Sequence, residues 1–116
     1  MRMPYMMKCK PGEIILIPFP FSDLSGAKKR PALILTAAKR WNELICVMLT
    51  SSPKGYNEVP LLQWKQSGLP KPTVARAHRL FTIDGHSVIR KLGKASEDDF
   101  NRVLSAVIAT IQNGHI

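Results

Sequence analysis

The clearest pattern in the chain is a run of apolar residues with helical spacing near its carboxyl end. Apolar residues at positions i, i+3, i+4, i+7, i+8 and i+11 are Phe100, Val103, Leu104, Val107, Ile108 and Ile111. This spacing aligns the six side chains in one stripe along an α-helix. Ser96 and Asp99 resemble a capping box at its start, and Asn113-Gly114 is a typical helix end. The pattern predicts a helix over residues 96–113.

The rest of the chain has shorter apolar runs of the kind that form strands. Strands are predicted over residues 13–19, 31–37, 44–51, 57–63 and 73–79. Asp84-Gly85, between residues 80–83 and 87–89, predicts a hairpin, because Asp-Gly favours the tight turns that join antiparallel strands. A mainly β chain with one C-terminal helix predicts a small β-barrel closed by that helix.

The length and the first residues indicate the domain organisation. A chain of 116 residues is expected to form one domain, with residues 1–10 as an N-terminal extension and residues 11–116 as the domain itself. No segment resembles a signal peptide or a membrane span. Cys9 and Cys46 lack the spacing of zinc ligands. We therefore expect a cytoplasmic protein with no membrane segment, no metal and no cofactor.

The charge distribution points to a polyanionic partner. The net charge is +9, and residues 1–94 contain 16 of the 17 Lys and Arg but only five of the eight Asp and Glu. A basic body of this kind favours binding of RNA or DNA. An acidic protein would suit the same surface, and a cationic surface that serves only solubility is a further alternative.

Arg30 lies at the junction between a basic segment and an apolar strand. Lys28 and Lys29 precede it, and Pro31 disfavours a helical turn at Arg30. Residues 21–29 form a predicted loop, and binding residues concentrate on loops that rigid strands support. The alternative is that these cations are ordinary solvated charges before a core strand.

Two further groups of polar residues lie on predicted strands. Thr50 and Ser51 end one strand, where hydroxyl groups also commonly cap turns. Arg76 and His78 share one face of another strand, because side chains alternate. Two such large polar groups suit either an anion site or an exposed sheet surface.

The types of residue present limit the chemistry. The chain has no Gly-rich phosphate loop, no HExxH or GxSxG motif and no clustered carboxylates. Arginines, lysines, hydroxyl groups and a histidine are sufficient for one reaction, cleavage of an RNA phosphodiester by its own 2′-hydroxyl. That reaction needs a base, an acid and positive donors around the phosphorus, and it needs no metal.

Three segments resemble the PemK/MazF family of toxin endoribonucleases, found in type II toxin–antitoxin systems. These are GEIILIPFPFSDLSGAKKRPALIL, ICVMLTSSP and TVARAHRLFTIDGHSVIRKLGKASEDDFNRVLSAVIATI. The resemblance extends from Gly12 to about Ile111. It implies the small SH3-like barrel of MazF-, PemK- and CcdB-like plasmid toxins. It also implies a homodimer that cleaves single-stranded RNA, such as mRNA, and a cognate antitoxin that inhibits it.

The resemblance also implies roles for individual residues. Arg30 matches the family's catalytic arginine, Thr50 and Ser51 its hydroxyl position, and Arg76 a second arginine that serves as acid or phosphate clamp. His78 departs from the family, which usually has an aspartate there as the presumed base. A histidine can act as a base, or it can contact RNA only, or mark an inactive relative. Further RNA contacts are expected from Lys28, Lys29, Phe21, Ser22, Arg79 and Lys54.

Two rival functions follow from the same fold. A non-catalytic toxin relative would bind a protein target, and Arg30, Thr50 and Arg76 argue against it because that branch lacks them. A nucleic-acid-binding barrel without catalysis would usually display aromatic side chains along its strands. This chain has only 7% aromatic residues, and they are scattered.

Overall fold

The fold is one antiparallel sheet with a single helix packed on it. The structure, a computed structural model, describes residues 8–19, 28–38, 40 and 42–116. The strands are β1 (Glu13–Phe19), β2 (Lys28–Ala38), β3 (Glu43–Thr50), β4 (Glu58–Pro60), β5 (Val74–Asp84) and β6 (Arg90–Lys94), and the helix is α1 (Glu97–Asn113). The strand order is β4-β5-β3-β2-β1-β6. The sheet is not closed, which is compatible with a barrel-like fold, and the predicted class of a mainly β domain with one C-terminal helix is confirmed.

The sheet buries apolar side chains on both faces, because neighbouring residues of a strand point to opposite sides. One face contains Ile14, Leu33, Val47, Leu49, Ala75 and Ala77, and it packs against Val103 and Val107 of α1. The other face contains Ile15, Ile17, Ala32, Ile34, Leu44, Cys46 and Val88. The β1–β6 ladder skips Leu92 and the β2–β3 ladder skips Leu35, as at a β-bulge, which bends a sheet locally. The β3–β5 ladder has a larger irregularity, because it skips residues 76–79 of β5.

The predicted helix is confirmed, and its cap has an additional role. The Ser96 hydroxyl accepts a hydrogen bond from the Asp99 amide at 3.1 Å, and Gly114 ends the helix with φ of 75°. The Asp99 side chain accepts from the amides of Leu62 (3.0 Å) and Gln63 (2.8 Å). The prediction of a reciprocal capping box is therefore only half right. The Asp99 carboxylate instead ties α1 to the segment after β4.

The predicted hairpin at Asp84-Gly85 is wrong. Residues 74–84 form one long strand that pairs with β3 and β4, whereas β6 pairs with β1. The Asp84 side chain accepts from the His86 amide at 2.8 Å and caps a single 3-10 turn over Gly85–Ser87. The Ile89 amide then donates to the Leu16 carbonyl at 2.8 Å. The turn therefore carries the chain across to β1 rather than back along β5.

Other predicted boundaries also differ from the structure. The strand predicted over residues 57–63 is only β4, and the following residues form helical turns in which the Ser67 amide donates to the Gln63 carbonyl. β2 begins at Lys28, so Lys28 and Lys29 lie on a strand and not in a loop. Most of the predicted 21–29 loop lies outside the described residues. In the part of the chain that the structure describes, no helix is long and apolar enough to cross a membrane.

Candidate functional site

A cavity of about 450 Å³ opens at the end of the sheet where β2 begins and β3 ends. Its polar lining consists of Lys29, Arg30, Thr50, Ser51, Lys71, Thr73 and Arg90. Four of these side chains are cationic, and no described Asp or Glu lines the cavity. A concave surface with charges of one sign concentrates ligands of the opposite sign. The cavity is therefore suited to an anionic ligand.

Strand register places Arg30 and Thr50 at the same end of the sheet. Ala32 of β2 pairs with Met48 of β3 in an antiparallel ladder. Arg30 lies two residues before Ala32, and Thr50 lies two residues after Met48. Because side chains alternate along a strand, Arg30 and Thr50 lie on the same face of the sheet, just beyond the last β2–β3 pair. Two residues far apart in sequence meet at the cavity because the two strands run in opposite directions.

The Arg30 guanidinium is held in an unusual state for an arginine. The residue is half-buried, and its Nε atom is buried without a hydrogen-bond partner among the described residues. A buried donor without an acceptor disfavours the folded state, typically by about 1–3 kcal/mol. A bound phosphate would supply acceptor oxygens in a geometry that matches the planar guanidinium fork.

Thr50 and Ser51 supply hydroxyl groups to the same cavity. The Thr50 Oγ1 atom accepts a hydrogen bond from the Ser52 amide at 3.0 Å, which orients the side chain at the end of β3. A hydroxyl that accepts one bond can still donate its own proton. Ser51 is exposed. The structural role of Thr50 as a turn cap and a role as a donor in the cavity are therefore compatible.

One wall of the cavity is held by a close contact between two backbone segments. A Cβ atom on Gly68 would lie 2.0 Å from the Leu92 carbonyl oxygen, and one on Gly93 would lie 2.1 Å from the Ser67 carbonyl oxygen. Only glycine permits this approach. The contact fixes the segment that carries Lys71 and Thr73 against β6, which carries Arg90.

Arg76 and His78 belong to a second polar cluster, built around Tyr56. Arg76 is only 8% exposed, and its guanidinium carbon lies 5.8 Å from the centroid of the Tyr56 ring. The His78 ring stacks on the Tyr56 ring, with ring centroids 5.3 Å apart. Ala75 and Ala77 lie in the helix-side core, whereas Arg76 and His78 both contact Tyr56.

Glu58 is the anionic member of this cluster. Its carboxylate accepts from the amides of Lys54 (2.6 Å) and Gly55 (3.0 Å), and one oxygen lies 3.8 Å from Arg76 Nε. The Lys54 amide above all, with help from Gly55 and Arg76, lowers the pKa of Glu58 despite partial desolvation. Glu58 is therefore ionised and acts as a counter-charge for Arg76, and it is a poor proton acceptor.

His78 is held in its neutral form. Burial lowers the pKa of His78, the charges of Arg76 and Arg79 lower it further, and Glu58 opposes them. The two neighbouring arginines therefore favour neutral imidazole. Desolvation is nevertheless the larger cause.

The structure brings only some of the predicted site residues together. Lys29, Arg30, Thr50 and Ser51 share the cavity, whereas Arg76, His78, Arg79 and Lys54 do not line it. Thr50 pairs with Val74 of β5, and Arg76 lies two residues further along the same face. The Tyr56 cluster therefore adjoins the cavity along the sheet. Lys28, Lys54 and Arg79 are exposed, and Phe21 and Ser22 lie outside the described residues.

Sequence reasoning missed five residues that the structure adds to these two groups. Lys71, Thr73 and Arg90 line the cavity, and Tyr56 and Glu58 lie close to Arg76. The sequence contains a weak indication that Glu58 has a specific role, since it is the only acidic residue between Glu43 and Asp84. The sequence contains no such indication for Arg90, because its position at the cavity depends on the pairing of β6 with β1 and not with β5.

Comparison with known proteins identifies a family. The model of the family described as "PemK-like, MazF-like toxin of type II toxin-antitoxin system" matches residues 10–111. No curated protein matched the sequence.

Several solved structures share the fold. A MazE-MazF structure (Form-II) from Deinococcus radiodurans is 24% identical with a TM-score of 0.74, and the match covers 90% of this chain and 96% of that one. The Mycobacterium tuberculosis toxin MazF-mt6 is 21% identical with a TM-score of 0.70, over 86% and 96%. An endoribonuclease in complex with its cognate antitoxin from Mycobacterial species is 17% identical with a TM-score of 0.72, over 90% and 96%. At these identities the likeness shows the fold.

Proposed function

The chain belongs to the PemK-like, MazF-like toxins of type II toxin–antitoxin systems, and from this premise we propose that it is a metal-independent endoribonuclease that cleaves single-stranded RNA. The observation that carries the proposal is the cavity that Arg30 and Thr50 both line, in which Arg30 Nε is buried without a hydrogen-bond partner among the described residues. Both groups are donors, and the cavity has no described carboxylate that would repel a phosphate.

The proposed reaction is an internal transfer at phosphorus. The 2′-oxygen forms a bond to the phosphorus while the bond to the 5′-oxygen breaks, and the product has a 2′,3′-cyclic phosphate and a free 5′-hydroxyl. A base accepts the 2′-hydroxyl proton, and an acid protonates the leaving oxygen. Arg30, Thr50 and Ser51 donate hydrogen bonds to the non-bridging oxygens, whose negative charge grows in the transition state.

Arg76 has a supporting role in this proposal. Its guanidinium stays protonated under all ordinary conditions, which suits it to a clamp on a phosphate better than to an acid. Tyr56 and Glu58 orient it. The RNA backbone is proposed to follow exposed cations on either side, Lys28 and Lys29 at one side and Lys54 and Arg79 at the other. Phe21 and Ser22 remain candidate contacts on the strength of the sequence alone.

A cognate antitoxin and a second copy of the chain are the proposed protein partners. The net charge of +9 favours an acidic antitoxin segment that competes with RNA for the same surface. Structural relatives include a MazE-MazF structure and an endoribonuclease in complex with its cognate antitoxin. The protein is proposed to be a cytoplasmic homodimer.

The test is incubation of the protein with single-stranded RNA in EDTA, followed by analysis of the fragment ends. Fragments that end in 2′,3′-cyclic phosphate support the proposal, and a 2′-deoxy group at the cleaved nucleotide should abolish the cut. Intact RNA with binding that weakens in salt would contradict it and would favour a nucleic-acid-binding barrel. Intact RNA without binding would favour a toxin relative that acts on a protein.

A further inference from the structure

His78 lies where three parts of the fold meet. It is a half-buried residue of β5, and it faces Asn57 from the segment before β4 and a cavity that Thr110 of α1 also lines. Asn57 Nδ2 lies 3.4 Å from His78 Nδ1 and 3.2 Å from Thr110 Oγ1. Thr110 Oγ1 in turn lies 2.8 Å from the Ala106 carbonyl oxygen. These contacts form one continuous chain from the helix backbone to the imidazole.

The chain of contacts has a direction because its first member can only accept. The Ala106 carbonyl takes the single hydroxyl proton of Thr110, so Thr110 Oγ1 accepts from its other neighbour. Asn57 Oδ1 lies 3.3 Å from Thr110 Oγ1 and Asn57 Nδ2 lies 3.2 Å from it. Because the hydroxyl proton is taken by Ala106, the partner must be the donor Nδ2, whose second proton then serves His78. His78 Nδ1 is then an acceptor, and the proton of the neutral ring lies on Nε2.

The backbone of Asn57 is placed for this contact. Its φ is 52°, in the left-handed region that most residues avoid and that Asn and Asp tolerate best. The Ala77 amide donates to the Asn57 carbonyl at 3.0 Å, which fixes Asn57 beside the strand that carries His78. A residue held in a rare conformation next to a polar side chain suggests a requirement for its carboxamide.

We propose that Asn57 and Thr110 are positioning residues that hold His78 as the neutral tautomer with its proton on Nε2, so that His78 donates a hydrogen bond to an acceptor of bound RNA. The RNA part of this inference rests on the proposed function. It gives His78 a different role from the family's aspartate. With Nδ1 occupied by Asn57 and Nε2 already protonated, His78 is not the base that accepts the 2′-hydroxyl proton.

The charged groups around His78 are consistent with this neutral state. Arg76 and Arg79 flank it on β5, Glu58 faces it from β4, and Tyr56 stacks on the ring. His115 lines the same cavity at the end of α1. An imidazolium would turn Nδ1–H toward the Asn57 amide protons and would stand beside two arginines. Both effects oppose protonation.

The first test is nitrogen-15 NMR of the full-length, uniformly labelled protein above the pH at which His78 titrates. The expected spectrum has His78 Nδ1 in the unprotonated range and Nε2 in the protonated range. Asn57→Asp replaces the donor with an acceptor and tolerates the same φ, so the proton should move to Nδ1 and the His78 pKa should rise. Thr82→Val, at an exposed position of β5, is the control and should leave the spectrum of His78 unchanged. An Nδ1–H tautomer in the unsubstituted protein would overturn the inference.

The second test separates a donor from a base through RNA cleavage. A glutamine side chain can donate a hydrogen bond but cannot act as a base at neutral pH. His78→Gln should therefore retain at least ten times the cleavage rate of His78→Ala. Equal losses in the two variants would overturn the donor role. The NMR test needs no RNA, so a protein with the expected tautomer that fails to cleave RNA would refute the proposed function and leave the positioning role of Asn57 intact.

Discussion

Arg30 and Arg76 have one unusual feature in common at the scale of single residues. In both, the Nε atom is buried and makes no hydrogen bond to any residue that the structure describes. Glu58 lies 3.8 Å from Arg76 Nε, close enough to attract its charge but too far for a hydrogen bond. Two under-satisfied guanidinium groups on one face of a sheet are suited to binding phosphate oxygens, which accept several hydrogen bonds at once.

A prediction at this scale concerns Glu58 and the titration of His78. Glu58 is the neighbour that raises the pKa of His78, against burial and two arginines that lower it. Glu58→Gln should therefore lower the pKa of His78 further, as measured by an NMR titration of its ring protons. Glu97→Gln, at an exposed position in the first turn of α1, is the control. A rise in the His78 pKa in Glu58→Gln would contradict this arrangement of charges.

At the scale of elements, the carboxylate of Asp99 joins α1 to the segment that follows β4. Asp99 is 1% exposed and accepts from the amides of Leu62 and Gln63, and it also pairs with Arg102. Burial alone would raise the pKa of Asp99, but these donors outweigh burial and lower it. The helix is thereby anchored to the turns that lead to the cavity wall.

We predict that Asp99→Asn destabilises the fold by about 2 kcal/mol near neutral pH, because an uncharged NH2 group replaces one of the two carboxylate oxygens that accept hydrogen bonds. The folded-state pKa lies below the ordinary 3.8. The stabilisation by the ionised Asp99 carboxylate is therefore fully present above the ordinary pKa of 3.8, and it is lost as the pH falls through the folded-state pKa. The free energy of unfolding in urea should differ between the two proteins at pH 7 and converge in acid.

Asp98→Asn is the matched control for this prediction. Asp98 lies in the same helical turn but is exposed, so its loss should change stability by only a few tenths of a kcal/mol through the helix dipole. Equal effects of Asp98→Asn and Asp99→Asn would contradict the anchoring role of Asp99.

The sequence predicted elements better than it predicted their pairing. The α1 helix was predictable because its apolar period, Ser96 cap and Gly114 stop all agree within one segment. The prediction of a hairpin at Asp84-Gly85 was wrong because the side chain of Asp84 caps a 3-10 turn instead. Backbone hydrogen bonds to Asn42 and to β1 stabilise that turn and the segment after it. Arg30 and Thr50 could be identified as candidates by resemblance. Tyr56, Glu58 and Arg90 could not be, because only the folded sheet brings them to the site.

At the scale of the whole molecule, positive charge spreads well beyond the cavity. The net charge is +9, and exposed cations flank the sheet end at Lys28, Lys29, Lys54 and Arg79. Contacts of this kind bind phosphates along a strand without reading its sequence, and they weaken as salt displaces them. Affinity and cleavage should therefore depend on different residues.

We predict that RNA affinity falls steeply with salt concentration and that Lys28 and Lys29 account for part of the slope. Each lost phosphate contact reduces the slope of log K against log salt by about 0.7 for a single strand, so Lys28→Ala with Lys29→Ala should reduce it by about 1.4. Binding of 2′-O-methyl RNA, which cannot be cleaved by this route, is the measurement. Lys65→Ala, at an exposed site on the turns after β4, should change the slope by less. A double variant with an unchanged slope would contradict RNA binding along this edge.

The most direct test of the central claim is the cleavage rate of Arg30 variants at saturating RNA. Arg30 is claimed to bind the phosphate oxygens as negative charge develops on them, so Arg30→Ala should reduce the rate by about 100- to 1,000-fold. Arg30→Lys keeps the charge but loses the planar fork and should recover only part of that loss, whereas Lys65→Ala should cleave at nearly the original rate. An Arg30→Ala protein that is folded and cleaves RNA as fast as the unsubstituted protein would contradict the account.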